Sequence, residues 1–148
     1  MIKDIHKVEK GTFELTWHDN IDFSKLKPVT QVYGVCFNKK GEILIINTTG
    51  NWQLPGGTPE KGEGWEDTLI REVKEEADVE IKNIVPLGYQ KVYHKEKNSI
   101  SYQLRFLATI SKINKQTIDP AEGKIPRRKF VNPENFFNYC HWVIQEKL

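Results

Sequence analysis

The stretch Trp65–Ala77 leaves the fold the least choice. At about 100° per residue around a helix axis, Leu69, Ile70, Val73 and Ala77 share one wedge, and Glu72, Glu75 and Glu76, spaced i, i+3 and i+4, share the next. The apolar wedge predicts a helix laid on a core. The acidic wedge sets three carboxylates along the edge of that core, able to converge on one point. Gly64 is an acceptable N-cap, and Glu66 and Asp67 suit the positive end of the helix dipole. The far end is built against the helix: Glu75, Glu76 and Asp78 oppose the dipole at about 0.3–1 kcal/mol for exposed sites. The like charges of Glu72 and Glu76 cost about 0.2–0.5 kcal/mol more. A hard divalent cation reverses these penalties, since Mg²⁺ takes oxygen ligands and is completed by waters and substrate phosphates.

The charge distribution points the same way. Between Gly57 and Val79 eight acids stand against three bases, a net −5 inside a chain of formal net charge +2, which leaves +7 for the remainder. An acidic segment in a basic chain suits a bound cation facing an anionic substrate; a solvated acidic face is the plainer alternative. At 148 residues, with 38% hydrophobic and 28% charged residues, the chain reads as a single domain over 1–148, and its composition argues against disorder. Residues Met1–Lys7 carry charges where a signal peptide is apolar, and no run approaches the roughly 20 apolar residues of a membrane span. Cys36 and Cys140 lie in apolar surroundings and read as reduced, buried thiols. A cytoplasmic location is expected, with no membrane partner.

Alternation of Phe13, Leu15 and Trp17 predicts a strand over Thr12–Trp17, and a second is expected over Val29–Phe37. A turn around Asn38–Glu42 then returns Ile43–Ile46 as its hairpin partner. Trp52–Leu54 is a short extended piece leading into Pro55-Gly56-Gly57. After the helix, strands are expected over Ile84–Tyr93 and Ser99–Ile110, the latter buried on both faces. Ser111–Pro126 has no periodicity, and loops of that length are often functional. Arg127–Val131 is a last strand. Asn132 and Pro133 then start a terminal helix, with Phe136, Phe137, Cys140, Val143, Ile144 and Leu148 as its apolar stripe. Strands interleaved with helices predict an α/β (α+β) fold, a mixed β-sheet flanked by helices.

The segment from Gly57 resembles the Nudix box. That family's pattern is Gly, five residues, Glu, seven residues, then R-E-U-x-E-E-x-G-U, where U is bulky and aliphatic. Here it reads Gly57, T-P-E-K-G, Glu63, G-W-E-D-T-L-I, then Arg71-Glu72-Val73-Lys74-Glu75-Glu76-Ala77-Asp78-Val79. One defined position departs: Asp78 stands where the family has glycine. Glycine there serves a left-handed helix end, which aspartate tolerates at modest cost. Trp52–Gly56 also looks like the family's approach to its box.

The resemblance implies a Nudix αβα sandwich of MutT-like type and a hydrolase that cuts a pyrophosphate bond in a nucleoside diphosphate derivative, such as a (d)NTP, ADP-ribose or a nucleotide sugar. It implies Mg²⁺, with Mn²⁺ as the substitute, held by Glu72, Glu75, Glu76 and the Gly56 carbonyl. Glu63 and Arg71 would support the loop–helix geometry, and Glu72 would activate water, with another acid able to share that role. Gly56 and Gly57 let backbone approach the substrate. A further acid is expected from the long loop, where Glu122 is chosen over Asp119. Arg127 and Arg128, with Lys129 beside them, are expected to touch phosphates; a solvated basic edge is the competing reading.

Tyr33, Tyr89, Tyr93 and Tyr102 are candidates for stacking a base, although aromatics at strand spacing more often fill a core. Trp65 is placed at the site rim or against the loop. His94 and His141 lack metal-like spacing and are read as structural or exposed. Two other functions compete: a catalytically silent nucleotide-binding module, and an isoprenoid diphosphate isomerase needing Cys36. The three intact carboxylates argue against the first, and the apolar setting of Cys36 against the second. Subgroup signals for a particular substrate are absent. The modest net charge makes nucleic acid the least favoured partner, and a homodimer is compatible with the family.

Overall fold

The computed structural model describes residues 2–120 and 123–140. Its strands are β1 (Ile2–Val8), β2 (Gly11–His18), β3 (Val29–Phe37), β4 (Ile43–Asn47), β5 (Trp52–Gln53), β6 (Gly56–Gly57), β7 (Val79–His94), β8 (Ser99–Ile113) and β9 (Arg127–Val131). They form one sheet in the order β1-β2-β7-β8-β3-β4-β5, with β6 added on β3 and β9 on β4. Only β3 and β8 run parallel among these pairings. A parallel pair needs a long crossover, and helix α1 (Trp65–Ala77) lies within the one between them.

Helix α1 keeps the predicted bounds, with Gly64 as N-cap in extended backbone. Leu69, Val73 and Ala77 are fully buried on the sheet face formed by Val32, Leu104, Phe106, Ala108 and Ile110. Gly34 makes the close seating possible, since a Cβ there would meet Leu69 Cδ1 at 2.9 Å. The other face carries Tyr33, Ile45, Leu54 and Val131 under Phe136 and Cys140. Phe136 belongs to α2 (Phe136–Tyr139), one turn long, which follows a 3-10 turn over Pro133–Asn135. Helices on both faces of a mixed sheet are the expected architecture.

Several expectations change. The hairpin expected between β3 and β4 closes with a single pair, Phe37–Ile43, because β4 spends its edges on β5 and β9. Residues Ile2–Val8, read from their charges alone, form edge strand β1, which tolerates alternating charge because one side of it is unpaired. The β7 strand starts at Val79 rather than Ile84, with three irregularities in its pairing to β8 absorbing the mixed pattern. Ile70, assigned to the core wedge, is 42% exposed, and Thr68 takes the buried place. Phe137, assigned to the terminal apolar stripe, is 71% exposed. Asn132 holds the N-cap position without a side-chain cap bond. Val143, Ile144, Leu148 and His141 lie outside the described residues.

Candidate active site

Three segments meet beside the C-terminal half of α1. The first is the glycine turn. Val32 pairs with Gly57 and Tyr33 with Gly56, and the Gly34 N–H donates to the Pro55 carbonyl at 3.0 Å. The chain passes so close to β3 that a Cβ on Gly56 would lie 2.1 Å from the Val32 oxygen, and the Gly56 φ is +152°. Only glycine fits there. The Gly56 N–H is thereby aimed at α1 and donates to Glu76 Oε1 at 2.8 Å, in a buried contact. At Gly57 the missing Cβ leaves room for the Glu72 carboxylate, which an added methyl would meet at 2.5 Å.

The second segment is α1 with the loop ahead of it. Arg71 Nε and Nη2 donate to both oxygens of Glu63, at 2.7 and 3.0 Å. Glu63 also accepts from the Thr68 hydroxyl at 2.7 Å and the Glu60 N–H at 3.0 Å. Such a bidentate, charge-assisted pair fixes orientation as well as distance. The Arg71 hydrogen bonds, followed by those from Glu60 and Thr68, hold the Glu63 carboxyl at about 2, well below its ordinary 4.5. Arg71 is raised further above its ordinary range, chiefly by Glu63.

Because the folded-state value of Glu63 is depressed, its stabilising contribution is present above about pH 4.5 and is lost as pH falls toward about 2. The stability difference between the wild type and Glu63→Gln is therefore expected to shrink steadily across that window. Melting curves taken at several pH values check this, and a constant difference would refute it.

Arg71 Nη1 continues to Glu72 Oε1 at 2.9 Å and Glu75 Oε2 at 3.4 Å. One guanidinium thus serves Glu60, Glu63, Glu72 and Glu75, with Glu76 buried nearby at 8% exposure. Five acids around one base leave a large local excess of negative charge. The third segment is the loop after β8, which brings the buried Asp119 to the same place. Together these segments line an open cleft of about 690 Å³, whose lining also includes the neutral polar side chains of Gln31, Thr48, Thr49 and Gln53.

Of the residues singled out in the sequence, Gly56, Gly57, Arg71, Glu72, Glu75 and Glu76 all line this cleft, and so does Asp119. Glu122 lies outside the described residues. Arg127 stands apart from the cleft lining, its guanidinium 5.0 Å from the centre of the Trp52 ring. Arg128, expected to meet phosphates, points to the end of α1, donating from Nη1 to the carbonyls of Ala77 at 2.7 Å and Asn114 at 2.8 Å. Strand alternation is the reason: Arg128 pairs with Ile46, whereas Arg127 and Lys129 face the other side of β9.

The tyrosines do not line the cleft. Tyr33 is buried, its hydroxyl raised by burial first, with the Arg105 guanidinium 4.5 Å from its ring acting in opposition. Arg105 itself is lowered by burial to about 10. Tyr89 packs on His18, Phe23 and Tyr102, and Trp65 meets Phe23 edge-on. Cys36 is fully buried and pushed up to about 12, far from a reactive thiol. His94 bonds to the Lys10 carbonyl and the Lys97 N–H, a loop-closing role. Sequence reasoning missed Gln31, whose amide donates to Thr58 Oγ1 at 3.0 Å and accepts from the Tyr33 hydroxyl at 3.3 Å. The available signal was an amide early in an otherwise apolar strand.

The donor set is all oxygen and net negative, which suits a hard divalent cation. Among the described residues no three acidic, histidine or cysteine side chains are grouped closely enough to enclose a metal ion. Arg71 Nη1 pairs with both Glu72 and Glu75, at 2.9 and 3.4 Å. The chemistry of the carboxylates and the cradle at Gly57 both fit Mg²⁺.

Comparison with known proteins adds the family. The family model described as the NUDIX domain matches residues 27–147. YtkD of Bacillus subtilis (strain 168), provisionally named an 8-oxo-dGTP diphosphatase, is 38% identical over 93 residues, covering 63% of this chain and 57% of that protein. The NAD-capped RNA hydrolase NudC of Pseudomonas fluorescens (strain Pf0-1) is 50% identical over 60 residues, 38% of this chain and 22% of that one. The matches thus span little more than half of the first relative's length and about a fifth of the second's. Among solved structures, the Bacillus subtilis pyrophosphohydrolase BsRppH superposes with a TM-score of 0.72 at 25% identity, over 98% of this chain and 89% of that one.

Proposed function

This chain belongs to the Nudix family, and from that membership we propose that it is a Mg²⁺-dependent pyrophosphohydrolase acting on a nucleoside diphosphate derivative, folded as a single domain. The observation that carries the reading is that Glu72, Glu75, Glu76 and Asp119 line one open cleft together with the neutral polar side chains of Gln31, Thr48, Thr49 and Gln53. The names of YtkD and NudC put 8-oxo-dGTP and NAD-capped RNA among the first substrates to try.

Glu72, Glu75 and Glu76, with the Gly56 carbonyl, would hold the ion. When bound, Mg²⁺ supplies positive charge against the diphosphate oxygens and makes water a better nucleophile at neutral pH. The chain's own groups do the remaining work. The Gly56 N–H fixes one Glu76 oxygen, so that carboxylate is oriented before substrate arrives. Arg71, itself clamped by Glu63, holds Glu72 and Glu75 in register on the helix edge. Glu72 takes the proton from the attacking water, and Asp119, from the same loop as Glu122, supplies an additional acid in the cleft. Thr48, Thr49, Gln31 and Gln53 hydrogen-bond the nucleotide, which orients the bridge for attack.

The test is a panel of 8-oxo-dGTP, ordinary dNTPs, ADP-ribose, nucleotide sugars and NAD-capped RNA, incubated with Mg²⁺ and assayed for phosphate or monophosphate release. Turnover of at least one compound, abolished by chelator and restored by Mg²⁺ or Mn²⁺, is the expected result. A folded protein that turns over none of them refutes the hydrolase reading and favours the silent binding module.

A further inference from the structure

Asp78 stands where the Nudix pattern has glycine, and helix α1 gains nothing from it. Its backbone is left-handed (φ 54°), a conformation glycine adopts more easily. Its charge sits at the negative end of the helix dipole. The side chain is engaged elsewhere. Asp78 Oδ2 accepts from the Thr117 N–H at 2.6 Å, and both carboxylate oxygens accept from the Thr117 hydroxyl at 3.0 and 3.3 Å. The Asp78 carbonyl accepts from the Asn114 N–H at 2.9 Å. Arg128 closes the same junction from the other side, bridging the Ala77 and Asn114 carbonyls.

We propose that Asp78 and Arg128 form a latch tying the loop after β8 to the end of α1, and that this latch positions Asp119 in the cleft. The inference rests on the hydrolase reading above. Among the described residues between Ile113 and Arg127 the chain has no regular element apart from the bridge between Asp119 and Lys124. A span of that kind has many conformations to lose, and each anchored point removes some of them. The latch anchors Asn114 and Thr117, leaving Ile118 as the one residue between the last anchor and Asp119. On the far side the Asp119 N–H donates to the Lys124 carbonyl at 2.8 Å, and the Asp119 carbonyl accepts from the Gly123 N–H at 2.8 Å. The same helix end that presents Glu75 and Glu76 therefore also sets the position of Asp119 in the cleft they share. Asp78 and Arg128 are positioning residues, acting through Asp119.

Asp78→Gly separates a latch from a helix stop. Glycine suits the left-handed end, so a residue serving only as a stop should be replaced without loss. The latch predicts that Asp78→Gly keeps or raises Tm while kcat falls about 10-fold or more, with KM nearly unchanged. The Thr117 amide should exchange faster with solvent deuterium, and Asp78→Asn, which keeps one acceptor oxygen, should recover part of the rate. Asp78→Gly added to Asp119→Asn should cost nothing further, because both act on one group. Wild-type kcat in Asp78→Gly, or independent multiplication of the two losses, overturns the latch while leaving the hydrolase reading intact. If the wild-type protein hydrolyses nothing, the hydrolase reading falls by itself. Thr117 exchange still decides the latch then, and unchanged protection in Asp78→Gly overturns it.

Discussion

Glu76→Gln is expected to lower kcat about 10²–10⁴-fold while Tm in chelator shifts by no more than a few degrees. Glu76 is nearly buried, and its Oε1 accepts the Gly56 N–H. Glutamine keeps an oxygen in that position, so the glycine turn stays where it is. What disappears is one full negative charge from the group that would hold the divalent ion. The cost therefore appears in the reaction and in the Mg²⁺ concentration needed for half-maximal rate. Stability is spared because a neutral amide is easier to bury than a carboxylate. Kinetics across a Mg²⁺ titration, paired with melting curves in EDTA, measure both sides. A kcat within threefold of the wild type would remove Glu76 from the proposed ligand set.

The two glycines ahead of the helix are expected to fail in opposite ways when each is changed to alanine. At Gly56 the new methyl meets backbone: the Val32 oxygen at 2.1 Å and Tyr33 Cα at 2.8 Å, with φ at +152°. Neither atom can move without opening the β3–β6 pair, so Gly56→Ala should cost about 2–4 kcal/mol of stability. At Gly57 the three atoms nearest the methyl all belong to the Glu72 carboxylate, the first at 2.5 Å. That group ends a flexible side chain and can swing aside. Gly57→Ala should therefore change stability by less than about 1 kcal/mol but displace a proposed ligand, lowering kcat about 10–100-fold. Urea unfolding and steady-state kinetics on both variants test the contrast. A Gly57→Ala protein with full activity would mean that the position of Glu72 does not matter to the reaction.

Much of the arrangement was legible in the residues alone, for reasons that are local. The bounds of α1 follow from its apolar spacing and from Gly64. The Glu63–Arg71 pair matches the resemblance, and helical geometry requires only that the loop carry Glu63 back toward the second turn. Strands β3 and β9 have the expected bounds because their patterns are continuous between clear turn residues. The errors are of another kind. Ile70 lies within the helical wedge but stays 42% exposed, while Thr68 is buried. Strand β4 does return beside β3 at Phe37–Ile43, but most of its pairing is with segments from Trp52 and from Arg127. No local signal tells a strand which distant segment will occupy its edges.

The same limit divides the candidate site. The box residues lie within one helix and the turn before it, where spacing along the chain is spacing in space, so the shared edge of Glu72, Glu75 and Glu76 is legible in the sequence. The presence of Gln31 and Asp119 in the cleft lining and the engagement of Arg128 at the end of α1 are not. Each depends on pairing between distant segments: β3 with β8 for Gln31 and for the start of the loop that carries Asp119, and β4 with β9 for Arg128. The sequence by itself determined the helix, its acid edge and the family. Tertiary packing alone decided what stands across from that edge, because contacts between segments far apart in the chain are selected by the shared core and leave no periodic trace.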